Sequence, residues 1–190
     1  MTRRPLNPLK ASRITIDANA VNRDGSEHDK LVDRLLGLVA AGTIGLIVPK
    51  GVRLEVQDPR TPAHVHETIL PQIFTVPVGL NADEKRRHQI ITAELQGNAK
   101  PGKHEADADH LFEASKYSGY FITHDERILK KAGRLGDVIP PTLTVVTLEE
   151  FLTILDEYQA QESNRPTSAR PPACLTGVES PIIFGAIGDV

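Results

Sequence analysis

Short apolar segments alternate along the chain with longer segments of helical periodicity. In 27–42, for example, Leu31, Leu35 and Leu38 recur at the spacing that places side chains on one helix face. Other apolar runs lack that spacing and are rich in β-branched and aromatic residues, which favours buried strands. We predict strands at 13–16, 44–49, 120–123 and 142–147. The pattern of 74–78 is ambiguous, so we expect four to five strands.

Polar residues at the ends of the periodic segments predict where helices begin. A short polar residue followed three positions later by an acid is typical of a helix start. This pattern occurs at Ser26 with Asp29, Asn81 with Glu84, and Thr147 with Glu150. Thr61 predicts a further N-cap, with Pro62 at the first helical position. We expect the last helix to end near Tyr158.

The alternation of strands and helices predicts an α/β fold. Parallel strands joined by helices form a central sheet with helices on both faces and right-handed crossovers, which is a three-layer α/β/α arrangement. A chain of 190 residues suits one domain with a tail, and we place the domain at 1–158. The stretch 159–190 is polar and proline-rich, which predicts a flexible tail. Its apolar end is expected to pack either on the domain or on a partner.

Acidic residues follow two of the predicted strands. Asp17 comes directly after the strand 13–16, and Asp125 comes two residues after Thr123, which ends the strand 120–123. Parallel sheets bind ligands beyond the carboxyl ends of their strands, where the topology reverses. If these two strands are neighbours, both acids lie at the same edge of the sheet.

Two further acids share helix faces with apolar residues. Glu55 lies three positions after Val52, in the helix that follows a buried strand. Asp107 lies four positions before Leu111. Both acids are therefore expected to face inward. Asp109 is an alternative to Asp107, with a less clearly inward position.

Each of these acids also has a structural explanation. Asp17 fits a turn cap, and Asp125 fits the N-cap of the helix that follows it. Glu55 fits a solvated position, and Asp107 fits a helix N-terminus, where its charge interacts favourably with the dipole. The prediction of a functional site therefore rests on the four acids together.

Converging carboxylates repel one another when ionised, and a divalent cation removes that conflict. A set of oxygen ligands favours Mg²⁺ or Mn²⁺. Zinc is disfavoured because no His or Cys accompanies these acids at ligand spacing. Such a site suits hydrolysis of a phosphodiester, in which a metal polarises the phosphate and activates a water.

Four segments of the chain, in order, resemble the PIN-domain family. They are ITIDANAVN, LEVQD, DADHLFEASKYSGYFITHDERIL and TLTVV, within residues 12–158. The most specific part runs from Asp107 to Leu129, where an acid opens a helix and the next strand ends in Thr-x-Asp. PIN domains are small α/β nucleases, and many are toxins of prokaryotic toxin–antitoxin pairs. The resemblance implies an endoribonuclease that requires Mg²⁺ or Mn²⁺.

The resemblance also implies roles for particular residues. The metal-binding, catalytic acids would be Asp17, Glu55, Asp107 and Asp125. Asn19 and Thr123 would orient waters or ligands around the metal. Asn19 argues against a phosphatase of the Asp-x-Asp type, and no glycine-rich phosphate loop follows any predicted strand.

The chain departs from the family pattern in three places. The segment 58–104 is long, the C-terminal tail has no counterpart, and the helix from Asp107 carries Phe112 and Glu113 where small residues are common. These departures bear on the substrate and the biological role more than on the fold.

Charge and composition bear on the partners. The net charge of −3 gives no overall basic signal, so RNA binding would need a local patch. The nearest basic residues to such a patch are Lys85, Arg86, Arg87, Lys100 and Lys103. They suit a phosphate backbone, although a solvated helix face is the competing interpretation. His104 and His124 are expected to be partly exposed bystanders.

The cysteine count and hydropathy indicate the surroundings of the protein. Cys174 is the single cysteine, which indicates a reducing compartment, and we expect a cytoplasmic protein. The N-terminal ten residues have no apolar core of the kind that a secretory signal contains. No apolar run approaches the ~20 residues of a membrane helix, so no membrane partner is expected.

Two functions follow as hypotheses. The first is a divalent-metal-dependent ribonuclease with RNA as its substrate. The alternative is a non-catalytic RNA-binding or regulatory protein-interaction module on the same fold, which the modest basic patch, the long segment 58–104 and the tail favour. An antitoxin protein as partner and a homodimer are further expectations from the family, and fold alone does not establish activity.

Overall fold

A computed structural model describes residues 5–164 except Ser12, Asp24, Arg60 and 76–78, and without the side chains of Leu54, Glu55, Ile73 and Phe74. The predicted tail therefore lies almost entirely outside the described residues.

The helices are α1 (Glu27–Ala40), α2 (Lys50–Val56), α3 (Ala63–Ile69), α4 (Ala82–Gln96), α5 (Glu105–Tyr117), α6 (Glu126–Ala132) and α7 (Leu148–Ser163), with 3₁₀ turns at Ala18–Val21 and Gly133–Leu135. The strands are β1 (Ile14–Ile16), β2 (Leu46–Val48), β3 (Ile73–Phe74), β4 (Tyr120–Ile122) and β5 (Thr144–Val146).

The five strands form one parallel sheet in the order β3-β2-β1-β4-β5. All residues of β1, β2 and β4 are buried, as in a sheet that helices cover on both faces. The predicted α/β/α fold is confirmed. The chain extends the sheet from β1 to one side through β2 and β3, then returns to the other side of β1 with β4. The topology therefore reverses between β1 and β4.

Two apolar clusters hold the helix layers to the sheet. Tyr120 and Ile122 of β4 pack in a cluster with α1 and α7, whereas Phe121, between them in sequence, packs in a second cluster with α4, α5 and α6. This alternation follows from the two-residue period of a strand. The same period fixes which side chains reach each helix layer.

Helix capping follows the sequence pattern at most starts. Asn81 with Glu84 and Thr147 with Glu150 form reciprocal capping boxes. Ser26 caps α1, but its side chain accepts from the N–H of His28 and not from that of Asp29. The prediction for α3 is wrong by one residue, because Pro62 keeps an extended backbone (φ −57°, ψ 140°) and is itself the N-cap.

The last helix is longer than expected. We predicted an end near Tyr158 and a tail from residue 159, but α7 continues to Ser163. The extra turn is held from a distance, because the amide of Asn7 donates to Glu162 at 3.3 Å and the hydroxyl of Tyr158 donates to the carbonyl of Pro5. Contacts with the N-terminal segment thus override the polar composition of this stretch.

The ambiguous segment 74–78 contributes one residue to a strand, since β3 consists of Ile73–Phe74. Residues 76–78 lie outside the described part. Among the helices of that part, none combines the length and the apolar character needed to cross a membrane.

Candidate functional site

The site lies at the carboxyl edge of the sheet, between β1 and β4. Ile16 pairs with Ile122 in the parallel register, so the next residues, Asp17 and Thr123, leave the two strands side by side. The N–H of Asp17 donates to the carbonyl of Ile122 at 3.0 Å, which continues the ladder by one bond. This is the point of topological reversal at which such sheets bind ligands.

Asp17 is a buried carboxylate with defined donors on both oxygens. Its residue exposure is 6%. Oδ1 accepts from the N–H of Ala18 at 2.9 Å, and Oδ2 accepts from the hydroxyl of Thr123 at 3.0 Å. The expected turn cap is therefore present, since Asp17 caps the 3₁₀ turn Ala18–Val21. Capping alone does not require a buried carboxylate, since an exposed Asp would cap the turn equally well. The burial of Asp17 therefore points to a further role.

Thr123 and Asn19 connect Asp17 to the turn before α6. The hydroxyl of Thr123 accepts from the N–H of Asp125 at 3.1 Å while it donates to Asp17. Oδ1 of Asn19 accepts from the N–H of His124 at 2.9 Å and lies 3.3 Å from the Thr123 hydroxyl. The two residues expected to orient ligands thus fix Asp17 relative to Asp125.

Asp125 is the N-cap of α6, as its structural explanation predicted. Oδ1 accepts from the N–H groups of Arg127 at 2.7 Å and Ile128 at 3.3 Å. Oδ2 accepts from Nη2 of Arg127 at 2.6 Å. One oxygen therefore serves the helix, and the other faces the polar edge of the sheet.

Asp107, in the first turn of α5, converges with Asp125 on the same cationic group. Its Oδ2 accepts from Nη2 of Arg127 at 2.5 Å. The two acids therefore share one guanidinium nitrogen, with ion-pair distances of 2.5 Å to Asp107 and 2.6 Å to Asp125. A helix acid and a strand-end acid thus meet here through Arg127, whereas the convergence of all four acids on a metal ion stays a prediction.

His104 is partly exposed, as we expected, but it contacts this cluster and is not a bystander. Only 12% of its side chain is exposed. Its Nδ1 lies 3.2 Å from Oδ2 of Asp107, and both ring nitrogens lie within 2.8 Å of Nη1 of Arg127. The loop before α5 thus adds an imidazole to the two acids.

Two residues of the site were missed from sequence. Arg127 bridges Asp107 and Asp125, and buried His110 lies with Nδ1 3.7 Å from Oδ1 of Asp17. His110 had a detectable signal, because it lies three positions after Asp107 on the same helix face. Arg127 had none, since a basic residue in the first turn of a short helix is ordinary.

A polar stripe on α5 organises the edge of the sheet. Asp107, His110 and Glu113 recur every three residues along one side of the helix. Glu113 accepts from the N–H of Lys50, the first residue of α2, at 3.1 Å and also bonds the hydroxyl of Thr75. The departure from small residues at Glu113 therefore has a structural purpose, which is to hold the start of α2.

The helix that contains Glu55 is held against this stripe. α2 packs on α5, and Gly51 approaches His110 so closely that a Cβ at position 51 would lie 2.7 Å from Nε2. The backbone of Glu55 is thus tied to the element that supplies Asp107. Its side chain lies outside the described part, so its convergence with the other acids stays a prediction.

The alternative acid, Asp109, lies on a different side of α5. Its carboxylate pairs with Nε2 of His88 on α4 at 2.6 Å, and 55% of its side chain is exposed. Asp107, which meets Asp125 through Arg127, is the better candidate of the two.

Within the described side chains, no three His, Cys, Asp or Glu residues come close enough together to hold a metal ion unaided. What the edge presents is a pair, Asp107 and Asp125, whose two negative charges one guanidinium partly offsets. Asp17 is one hydrogen-bonded residue away, through Thr123. The donor chemistry, hard oxygen atoms around one positive charge, is of the kind that Mg²⁺ and Mn²⁺ accept.

An open cavity of about 760 Å³ adjoins this edge on the α1 side. Asn19 and His124 form the boundary between the cavity and the acids, and His28 contacts His124 edge to face with ring centroids 4.6 Å apart. Burial lowers the pKa of the His124 imidazole, His28 lowers it further, and Glu149 opposes both. The surroundings of His124 therefore favour its neutral form, and the two rings present flat, polar-edged surfaces.

The basic residues expected to contact RNA lie on α4, on the opposite face of the sheet from α1, and in the loop that follows α4. Lys85, Arg86, Lys100 and Lys103 are exposed, and Arg87 is partly buried. Lys100 and Lys103 occur in the loop that leads into α5, and this loop also supplies His104. A basic surface is therefore connected in sequence to the acidic edge.

No protein-family model matches the chain, and a search of curated proteins finds no match. The site is therefore interpreted from its own geometry and from the sequence pattern.

Proposed function

We propose that the protein is a PIN-type, Mg²⁺- or Mn²⁺-dependent endoribonuclease. The observation that carries the proposal is the convergence of Asp107 and Asp125 on one cationic group at the reversal point of the sheet. Asp17, buried next to them through Thr123, supplies a third acid at the same edge. Acids from separate elements that meet at such an edge are typical of a catalytic centre.

The residues of the edge have distinct parts in this proposal. Asp107 and Asp125 would hold the divalent ion in place of the guanidinium, with Asp17 and Glu55 completing the set. When bound, Mg²⁺ or Mn²⁺ supplies Lewis acidity toward the phosphodiester and its attacking water. Thr123 orients Asp17 by donating to Oδ2, and Asn19 fixes the turn that presents Asp125.

RNA is the proposed substrate, supported by the exposed cations of α4 and of the loop before α5. A cytoplasmic location, an antitoxin partner and a homodimer stay predictions from the sequence.

Cleavage of a fluorescent single-stranded RNA tests the proposal. The wild type should cleave with Mn²⁺ and stop with EDTA, and Asp17→Asn, Asp107→Asn and Asp125→Asn should each lose at least about 100-fold in rate, as expected when an electrostatic group of the transition state is removed. Asp109→Asn is the matched control on the same helix and should keep its activity. Variants that cleave as fast as the wild type would refute the proposal.

A non-catalytic RNA-binding module is the second candidate. It is supported by one observation, which is that the ion pairs with Arg127 give Asp107 and Asp125 a structural partner. On this alternative, calorimetry should detect RNA binding but no heat of Mn²⁺ binding, and labelled RNA should stay intact. Saturable Mn²⁺ binding that Asp107→Asn abolishes would exclude it.

A further inference from the structure

Arg127 occupies the position between two acids that the proposed metal also requires. One of its nitrogens, Nη2, donates to Asp107 at 2.5 Å and to Asp125 at 2.6 Å. The other, Nη1, lies against the ring of His104. A divalent ion bound between the same two Oδ2 atoms would compete with the guanidinium for them, because both are positively charged and occupy the same place.

The guanidinium of Arg127 is held by its ion pairs, while its hydrogen-bond donors are not all satisfied. Its Nε is buried and has no hydrogen-bond partner among the described residues. A buried donor without a partner carries a free-energy cost, which a fully committed structural arginine would avoid. About a quarter of the side chain (27%) remains exposed, so a route to solvent exists.

We propose that Arg127 exchanges partners during function. In the metal-free protein it offsets part of the negative charge of Asp107 and Asp125, and when a divalent ion takes these carboxylates the released guanidinium binds a phosphate of the RNA. This inference rests on the proposed metal site. Guanidinium suits both partners, because its planar fork matches carboxylate and phosphate equally well.

The exchange has a purpose in each state. Without the cation, two carboxylates that converge this closely would repel each other and disturb the edge of the sheet. With a divalent ion bound, the same cation is set free beside the reacting phosphate, where positive charge stabilises the negative charge that develops. Metal binding and substrate binding are thereby coupled through one side chain.

The first experiment follows Arg127 in the wild type by NMR of arginine Nε–H groups. The Arg127 resonance, assigned by its loss in Arg127→Lys, should shift when Mg²⁺ saturates the protein. The resonance of Arg134, which pairs with Glu94 from the 3₁₀ turn after α6, should not move. A static Arg127 resonance at saturating Mg²⁺ would overturn the exchange.

The second experiment measures affinities in variants. Arg127→Ala should bind Mn²⁺ about tenfold more tightly by calorimetry, as expected when a competing state that held about nine-tenths of the population is removed. With a cleavage-resistant RNA analogue, which prevents turnover, Arg127→Ala should weaken RNA binding about tenfold with Mn²⁺ present and leave it unchanged without Mn²⁺. Lys130→Ala removes an exposed cation on the same helix and is the matched control.

The outcomes separate this inference from the proposed function. If neither the wild type nor Arg127→Ala binds Mn²⁺, the proposed metal site fails. If both bind Mn²⁺ with equal affinity, the metal site stands and the exchange fails. RNA binding that Arg127→Ala weakens equally with and without Mn²⁺ also contradicts the exchange, because it assigns Arg127 a fixed contact. Circular dichroism of each variant excludes loss of fold as the cause.

Discussion

The hydroxyl of Thr123 donates to Oδ2 of Asp17 at 3.0 Å, although the two residues are 106 positions apart. They meet because Ile16 and Ile122 are paired in neighbouring strands. The bond belongs to a buried carboxylate, and it therefore matters for stability as well as for the site.

Thr123→Val keeps the shape of the side chain and removes this donor. Because Asp17 is buried, its charge would lose one of its hydrogen bonds, and we expect a cost of about 1.5–3 kcal/mol in the free energy of unfolding. Urea unfolding measures it. Thr123→Ser should recover most of the loss, and Thr153→Val, which removes an exposed hydroxyl on α7, should change little. A Thr123→Val variant with an unchanged free energy of unfolding would show that Asp17 needs no hydrogen-bond donor from Thr123.

Gly51→Ala should destabilise the protein through His110. A Cβ at position 51 would lie 2.7 Å from Nε2 and 3.1 Å from Cδ2 of this buried ring. We expect a cost of about 1–3 kcal/mol, because the ring is enclosed and α2 must move away. Thermal unfolding gives the measurement.

The control for that change is Gly37→Ala, in the exposed part of α1, where an added Cβ meets nothing within 4 Å. It should stabilise by about 0.5–1 kcal/mol, as alanine does relative to glycine within a helix. In an His110→Ala background, Gly51→Ala should cost less than in the wild type. Equal costs in both backgrounds would mean that His110 is not the obstacle.

Lys116→Met should reduce stability in a way that depends on pH. Lys116 of α5 bonds Glu84 of α4 at 2.7 Å, and this bond lowers the pKa of Glu84 below its usual 4.5. In the range just below pH 4.5 the unfolded state binds more protons than the folded state, so the contribution of the pair is complete above pH 4.5 and is lost as the pH falls through the folded pKa.

The difference in unfolding free energy between wild type and Lys116→Met should therefore be constant from pH 7 to pH 5 and should shrink toward pH 3. Urea titrations at these pH values test this. A difference that stays constant down to pH 3 would assign the effect of Lys116 to its contacts with the rings of Phe112 and Tyr117 instead.

Replacing Lys85, Arg86 and Arg87 together by alanine should weaken RNA binding without affecting base preference. Each phosphate contact with a single strand contributes about 0.7 to the slope of log K against log salt concentration. If all three residues contact phosphates, the magnitude of the slope should therefore fall by about 2. Fluorescence anisotropy at several salt concentrations measures the slope. Lys10→Ala with Arg13→Ala changes exposed cations at the opposite edge of β1 and should leave it unchanged. An unchanged slope in the triple variant would favour the solvated helix face.

Much of the fold could be read from local pattern, because the relevant interactions span few residues. The capping boxes of Asn81 and Thr147 each involve a residue three positions away. The local pattern gave a wrong prediction where distant contacts matter. At the end of α7, Asn7 and Pro5 hold a helical turn that the composition of the segment does not predict.

The candidate site also combines features that are local in the sequence with features that depend on distant contacts. The position of Asp17 and Asp125 after strands, and the role of Asp125 as N-cap, are local properties that the sequence contains. His104 and Arg127 could not be assigned, because the value of each depends on Asp107 and Asp125 lying on elements that only the packing brings together.

By itself the sequence determined the type and order of the elements and the acids at their ends, since periodicity and capping act within a few residues. The tertiary structure alone decided that β4 lies next to β1, that α5 packs on the sheet face with α4 and α6, and that Arg127 stands between Asp107 and Asp125. The physical reason is that strand order and helix docking are set by burial of the whole apolar surface. Long-range pairs of charges are consequences of that packing.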